Sequence, residues 1–319
     1  MFDVAGVGVS AIDLVYVLPA YPEPEGPLSK LQVQSHVVSP GGQTATALAG
    51  CAALGLRAQF LGITGNDAYG ALIRDELARR GVDVSQSTIL DGPQPYSVIL
   101  IARGLPADLS PEATRAKGEA PQGAKVGERI VLWHREPGKI IRDKFSRLVP
   151  DARVLHVDDV EIDGAIAAAR IAREAGRLVT TDIDRVTERT RELIELATHP
   201  ILAEHVPPKL TGESDLPRAL RRLRDLNAGP IVVTRGEQGA IALEGDEIVE
   251  SPGFRVEPID TTGAGDVFRA GLIAALLDGL PLTETLRFAN AAAAASCRRQ
   301  GAMLSVPSRG EVDLLLRQA

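Results

Sequence analysis

Residues 153–182 read RVLHVDDVEIDGAIAAARIAREAGRLVTTD, and this run decides the fold. RVLHV (153–157) reads as a strand, DGAIAAARIAREAG (163–176) as a helix stopped by a glycine, and RLVTTD (177–182) as a second strand. The pattern continues toward the C-terminus with helix TERTRELIELA (187–197), short strand ILA (201–203), helix LPRALRRLRDLNAG (216–229) and strand PIVVTRG (230–236). Strands alternating with helical segments of roughly 10–15 residues predict βαβ units and a parallel sheet. Toward the N-terminus, VAGVGVS (4–10) reads as a buried strand running into a ligand-facing turn. It is followed by the small-residue helix 43–55, the strand AQFLGITG (58–65) and the helix AYGALIRDELARRG (68–81). No repeat is present.

Two stretches interrupt this series without helices of their own. Residues 12–38 and 92–135 carry the β-rich runs KLQVQSHVV, PYSVILIAR and ERIVLWHRE, separated by YPEPEGP and by the long polar loop 104–127, which reads as mobile. The expected architecture is one α/β domain over residues 1–319. Its mostly parallel, doubly wound sheet carries helices on both faces and a small β lid assembled from the two excursions. Ligands of such sheets bind at the carboxyl ends of the strands, under the lid.

Composition narrows the function. Apolar residues at 45% and charged residues at 24% describe a folded globular chain. A net charge of −7 and only 3% aromatic residues argue against nucleic acid as a partner, since neither phosphate neutralisation nor base stacking is provided for. No 18-residue apolar run predicts a membrane span, and Asp3 and Asp13 stand where a signal peptide would be basic and apolar, so the expectation is a cytoplasmic protein. Cys51, Cys297 and the five histidines lack metal-ligand spacing; no protein-held metal site is expected.

The chemistry concentrates at Asp260-Thr261-Thr262-Gly263-Ala264-Gly265-Asp266, followed by VFRAGLIAALLDG. Glycines at a helix start let the backbone approach a ligand, and the free N–H groups of the first turn form an anion nest. Asp266, in that turn, is placed to take a proton from a hydroxyl attacking a phosphoryl group. No Lys-Ser/Thr pair follows, so this is not a Walker A loop. A helix N-terminus lowers the proton affinity of a carboxylate, which phosphoryl transfer tolerates because its loose transition state gives up the proton late.

Five ordered motifs make the chain resemble the ribokinase-like (PfkB-type) carbohydrate kinases: GGQTATALAGCAALG (41–55), TGNDAYG (64–70), VVTRGEQGA (232–240), DTTGAGDVFRAG (260–271) and FANAAAAASCRRQGAMLSVPS (288–308). The resemblance implies a ribokinase-like fold, ATP and Mg2+ as cofactors, a sugar or sugar-acid alcohol as acceptor and a homodimer through the lid. It implies Asp266 as catalytic base, with the amides of Gly263, Ala264 and Gly265 as the anion hole. Thr234, Gly236, Gly239 and Thr262 would hold the nucleotide, with Asn290, Gly301 and Ala302 near the adenine. Asp13, Gly41, Gly42 and Gln43 would meet substrate hydroxyls.

Two departures stand out. Gln43 occupies the position of the family's usual Asn, one methylene longer. The Asn-x-x-Glu tied to magnesium handling falls on Ala203 and Val206, leaving Glu204 or Asp182 as outer-sphere candidates beside an ion carried by the nucleotide. Among weaker candidates, Asp158 and Asp159 read as helix caps or as carboxylates facing the substrate, Arg103, His134 and Arg135 as solvated lid residues or contacts for a charged substrate, and His156 as a core histidine. A nucleoside kinase is the alternative, for which the lid offers Tyr16, Tyr21, Tyr96 and Trp133. A dinucleotide-dependent oxidoreductase, suggested by Gly6-x-Gly8-x-x-Ala11, is excluded because IDLVYVLPAYPEPEGP cannot be the helix that motif must open. A silent regulator on the same fold is disfavoured by the intact glycine loop with Asp266.

Overall fold

The computed structural model describes residues 1–102, 129–135 and 142–318; the loop 104–127 and Arg103 lie outside the described residues. Eight strands stand side by side in the order Ala58–Phe60, Phe2–Val7, Ala152–Asp158, Leu178–Asp182, Ile201–Ala203, Ile231–Thr234, Ala240–Glu244 and Glu247–Ser251. The join between the fourth and fifth is local: Ile183 N donates to Ile201 O, and Ala203 N to Ile183 O. The first six run parallel and the last two fold back as an antiparallel hairpin.

Strand periodicity divides the core between two faces. Ala5, Val7, Leu155 and Val157 pack under the helices Ile162–Glu174, Thr190–Leu196 and Leu216–Leu223. Their neighbours Val4 and Val154 face the other way, onto Gln43–Ala53, Ala68–Arg79, Ala264–Leu277 and Leu282–Ser296. Both faces are therefore apolar, and the parallel strands read as continuous hydrophobic runs for that reason. The order of the strands reverses between Phe2–Val7 and Ala152–Asp158, because the chain first moves to one side and then to the other. The crevice beyond their carboxyl ends is the position at which α/β sheets take ligands.

A second sheet of four strands stands apart, in the order Ser35–Gly41, Ala11–Leu18, Tyr96–Ala102 and Arg129–His134. Its central pair is parallel and both outer pairs are antiparallel. Several boundaries differ from the sequence expectation, among them the helix expected over 216–229, which ends at Leu223. The run KLQVQSHVV becomes a strand only from Ser35, because its partner ends at Leu18 and the last paired residues are Val17 and Ser35. AQFLGITG splits at Gly62, where a Cβ would lie 2.2 Å from the Gly8 carbonyl, and Ile63–Gly65 leaves the main sheet to pair with Thr88–Leu90. The helix at 187–197 shortens to Thr190–Leu196.

Candidate active site

The glycine turn has the conformation its composition demands. Gly263 caps the helix Ala264–Leu277 at φ +80°, and a Cβ there would lie 2.8 Å from Ala302, so neither the backbone nor the space admits another residue. Asp260 fastens the turn from below: Oδ1 accepts from Thr262 N at 2.8 Å and Oδ2 from Gly301 N at 2.9 Å. Thus Gly301 and Ala302 are drawn against the turn. Sequence reasoning passed over Asp260, although an Asp two residues before its own hydrogen-bonded N–H is the signature of an Asx turn.

On the opposite side, Gly42 sits at φ +96°, where a Cβ would lie 2.6 Å from Ser10 Cα, and opens the helix Gln43–Ala53. The Asp13 carboxylate lies over Gly41, 2.4 Å from where a Cβ would be. One cavity of about 340 Å3 receives both sides: Asp13, Gly42 and Gln43 meet Thr262, Gly263, Asp266 and Ala302 there. Tyr96, Ser97, Trp133, His134 and Arg135 contribute from the smaller sheet and its exit, and Asp184 and Arg185 from the main sheet. Ala302, expected near the adenine, lines this cavity together with Asp13 and Asp266. Thr234, Gly236, Gly239 and Asn290 do not line this cavity. The first three form the turn between Ile231–Thr234 and Ala240–Glu244. Asn290 is committed to that turn's neighbour, its Nδ2 donating to Ser251 O and Ser251 Oγ at 3.0 Å each.

The electrostatics at Asp266 reverse the sequence expectation. Burial raises its proton affinity well above the ordinary carboxylate range, the neighbouring Asp182 carboxylate adds to that, and Asp13 adds a smaller share against the opposing charge of Arg269. The helix N-terminus, which alone would act the other way, is outweighed. Arg269 itself is buried, with Nη2 2.7 Å from Asp182 Oδ1 and Nη1 donating to Gly265 O at 3.0 Å. The pairing of Asp182 with Arg269 is not announced by the sequence, which offers Asp182 only as an outer-sphere candidate and Arg269 only as a position within 260–271.

Asp158 and Asp159 are not caps. The helix that follows begins at Ile162 without a side-chain cap. Asp158, fully buried, accepts from Val9 N and Thr44 Oγ1 at 2.7 Å each and from Val160 N at 3.0 Å, tying the first strand's turn to the helix Gln43–Ala53. Asp159 accepts from Asp184 N, from Arg185 N and from the Arg185 guanidinium at 3.0 Å. A helix can start without a side-chain cap, whereas backbone N–H groups converging at the ends of parallel strands must find acceptors. Arg135 is likewise held, donating to Val160 O at 3.0 Å with Glu161 3.3 Å away. His156 bonds Thr180 Oγ1 through Nδ1 at 3.0 Å; burial and then the Arg269 charge push its pKa down to about 3, so the ring is neutral.

The residues present do not fit a protein-held magnesium ion at the family's usual positions. Ala203 ends a strand, Val206 is buried in the apolar core, Glu204 points to solvent and Asp182 is bound by Arg269. Among the described residues no group of three acidic, His or Cys side chains is placed to bind a metal, and no helix is long and apolar enough to cross a membrane.

The profile of the pfkB family carbohydrate kinases matches residues 1–105 and 140–309, which takes in every motif quoted above. The chain belongs to the pfkB family. This pfkB kinase is 28% identical to the ribokinase of Bacillus subtilis (strain 168), over 99% of its own length and all of the relative's. It is 27% identical to fructokinase-1 of Zea mays, over 92% and 93% of the two chains. Its fold matches that of ribokinase from Thermotoga maritima with a TM-score of 0.79 (22% identity, 99% and 100% covered). Arabidopsis thaliana ribokinase, solved in complex with ribose and ATP, gives 0.80 (23% identity, 99% of each chain). The architecture is therefore the ribokinase-like one, a doubly wound, mostly parallel sheet with a small β lid, and the enzyme is a phosphotransferase with an alcohol acceptor.

Proposed function

We propose that this pfkB kinase transfers the terminal phosphoryl group of Mg·ATP to one hydroxyl of a small sugar or sugar acid. The observation that carries this reading is the meeting of Asp13 and Gln43 with the Gly263 turn and Asp266 around one cavity. Asp13 accepts from a pair of substrate hydroxyls, and the Gln43 amide both donates and accepts. The N–H groups of Gly263, Ala264 and Gly265 receive the charge of the transferring group, and Asp266 orients the attacking hydroxyl and takes its proton. A base with raised proton affinity suits this step, since the proton it receives is better held. Thr234, Gly236, Gly239 and Thr262 serve the nucleotide. Asn290 acts on it through the loop at Ser251, and Gly301 and Ala302 act by packing on the glycine turn. The ion travels on the ATP phosphates as part of that substrate. Arg135 and Arg185 line the cavity, and the N–H groups they do not spend on Val160 and Asp159 favour a sugar acid among the acceptors.

A nucleoside acceptor is the second reading, supported by Tyr96 and Trp133 in the cavity wall, where a base could stack. The smaller sheet serves as a lid of the single domain and as the surface of a homodimer in the cytoplasm. Its strand Arg129–His134 leaves Val131, Leu132 and Trp133 exposed, more apolar edge than a monomer ordinarily shows to water. Turnover of sugars, sugar acids and nucleosides with Mg·ATP, read as ADP release, tests the proposal. Preference for a sugar or sugar acid is the expected result; preference for a nucleoside selects the second reading, and ADP release independent of any acceptor overturns both. Light scattering at micromolar concentration tests the dimer.

A further inference from the structure

Beneath the glycine turn lies a charge pair that no motif of the sequence points to. Arg269 is three residues beyond Asp266 on the helix Ala264–Leu277, and its side chain turns back under the first turn. There Nη1 donates to the Gly265 carbonyl at 3.0 Å, while Nη2 meets Asp182 at 2.7 Å, with both side chains all but inaccessible. Asp182 ends the strand Leu178–Asp182, where its backbone carbonyl accepts from Asp159 N, and its carboxylate faces that of Asp266. Arg269 thus connects two things: the carbonyl of the turn that would hold the transferring phosphoryl group, and Asp182, which is both the end of a core strand and the carboxylate next to the base. The contact with the turn is tight, since a Cβ on Gly265 would come within 3.0 Å of Arg269 Nη1.

A buried guanidinium is a poor choice for stability alone. Its desolvation is repaid only by well-made partners, and Arg269 Nε has none among the described residues. A hydrophobic residue would pack helix against sheet with less penalty. What the guanidinium supplies instead is a planar fork that fixes two acceptors relative to each other. We propose that Arg269 and Asp182 are positioning residues for Asp266: the pair locks the glycine turn to the strand end and sets the charge environment in which the base works. This rests on the reading of Asp266 as the base.

The groups that face Asp266 come from three elements. Asp182 approaches from the main sheet, Asp13 from the smaller sheet and Arg269 from the helix itself. Around the pair stand Asp158, Asp159 and Asp184, which act on Asp182, and the neutral His156, on which the Arg269 charge acts. Asp182 raises the proton affinity of Asp266 and Arg269 restrains it, so removing either charge moves the titration of the base, and in opposite directions.

The opposite signs make the test. The pH titration of the Asp266 carboxyl carbon is followed by NMR in the free protein labelled with 13C aspartate, the signal being assigned by its loss in Asp266→Asn. Asp182→Asn should lower the midpoint and Arg269→Met should raise it, each by a unit or more. Arg269→Lys, which keeps the charge without the fork, should leave the midpoint within half a unit of the wild type. The acid limb of kcat, measured with the best acceptor of the panel, should move as the midpoints do. Arg269→Lys should lower kcat about tenfold with the KM for ATP unchanged. If a single variant fails to fold, the double variant Asp182→Asn/Arg269→Met, which removes both charges, is titrated in its place. Its midpoint should fall below the wild type, because burial remains while the larger, like-charge neighbour is gone. Midpoints that stay within half a unit of the wild type in all these variants overturn the proposal and leave Asp266 as the base. Wild-type turnover in Asp266→Asn removes the base, and the proposal with it.

Discussion

Asp266 reaches the cavity from a helix whose first turn is held by Asp260 on one side and by the buried Arg269–Asp182 pair on the other. Asp13 reaches the same cavity from a four-stranded sheet whose last strand lies open to water, with Trp133 68% exposed. The two regions solve different problems. Phosphoryl transfer depends on placing a base and an anion hole to fractions of an ångström, which a dry, hydrogen-bonded floor can do. Admitting and releasing an acceptor needs an element that can move, and a four-stranded sheet with an exposed outer strand is better placed to do so than the buried floor. Substitutions on the floor should therefore strike kcat, and those on the cover should strike acceptor binding or association.

The largest effect should come from the floor. Asp266→Asn should lower kcat by at least ~10²-fold, the low end for a general base, while the KM for ATP changes little. The same variant should be more stable at neutral pH. Burial and the Asp182 charge raise the proton affinity of Asp266 in the folded state, so its contribution to stability is present at low pH and turns into a cost as pH rises through the folded-state pKa. Scanning calorimetry should show Asp266→Asn melting roughly 1–2 °C above the wild type at pH 7.5. The gain should vanish in acid, where the wild-type carboxyl is protonated. A variant that is inactive and also less stable at pH 7.5 would show that the floor is not strained by its charges.

Asp13→Ala should remove about 1–3 kcal/mol of apparent acceptor binding, read as a roughly 10- to 100-fold fall in kcat/KM for the acceptor, with the KM for ATP unaltered. A loss confined to kcat would erase the distinction between floor and cover. Trp133→Ser should change the unfolding free energy by less than ~0.5 kcal/mol, as for an exposed side chain, yet shift the proposed homodimer toward monomer in light scattering. The smallest effect is expected of free magnesium: once ATP is fully complexed, millimolar excess should leave turnover unchanged, because Ala203 and Val206 offer no ligand for a second ion. A several-fold response would point to another acidic cluster in the floor.

Much of this was legible in the chain. The alternation of apolar runs and helical segments from 153 to 236 gave the parallel sheet, and Gly41, Gly42, Gly263 and Gly265 marked the two turns that meet at the cavity, because a backbone at positive φ or in close approach favours glycine. Five spaced motifs named the family. These are local signals, in which each residue's role follows from its neighbours in sequence. The roles of Asp158, Asp159, Asp182, Arg185 and Arg269 were not legible. Their partners lie across the sheet, as when Asp158 binds Val9 and Thr44 or Arg269 binds Asp182, and a carboxylate at a strand end looks the same in sequence whether it caps a helix or braces a distant turn. The sign of the shift at Asp266 belongs to the same class. Sequence supplied the helix N-terminus, which lowers proton affinity, whereas only the folded chain brings burial, Asp182 and Asp13 together to raise it. Sequence by itself thus determined the sheet and the turns and singled out Asp266 as the candidate base. Tertiary structure alone decided what surrounds that base, because burial and charge proximity are properties of residues far apart in the chain that packing makes neighbours.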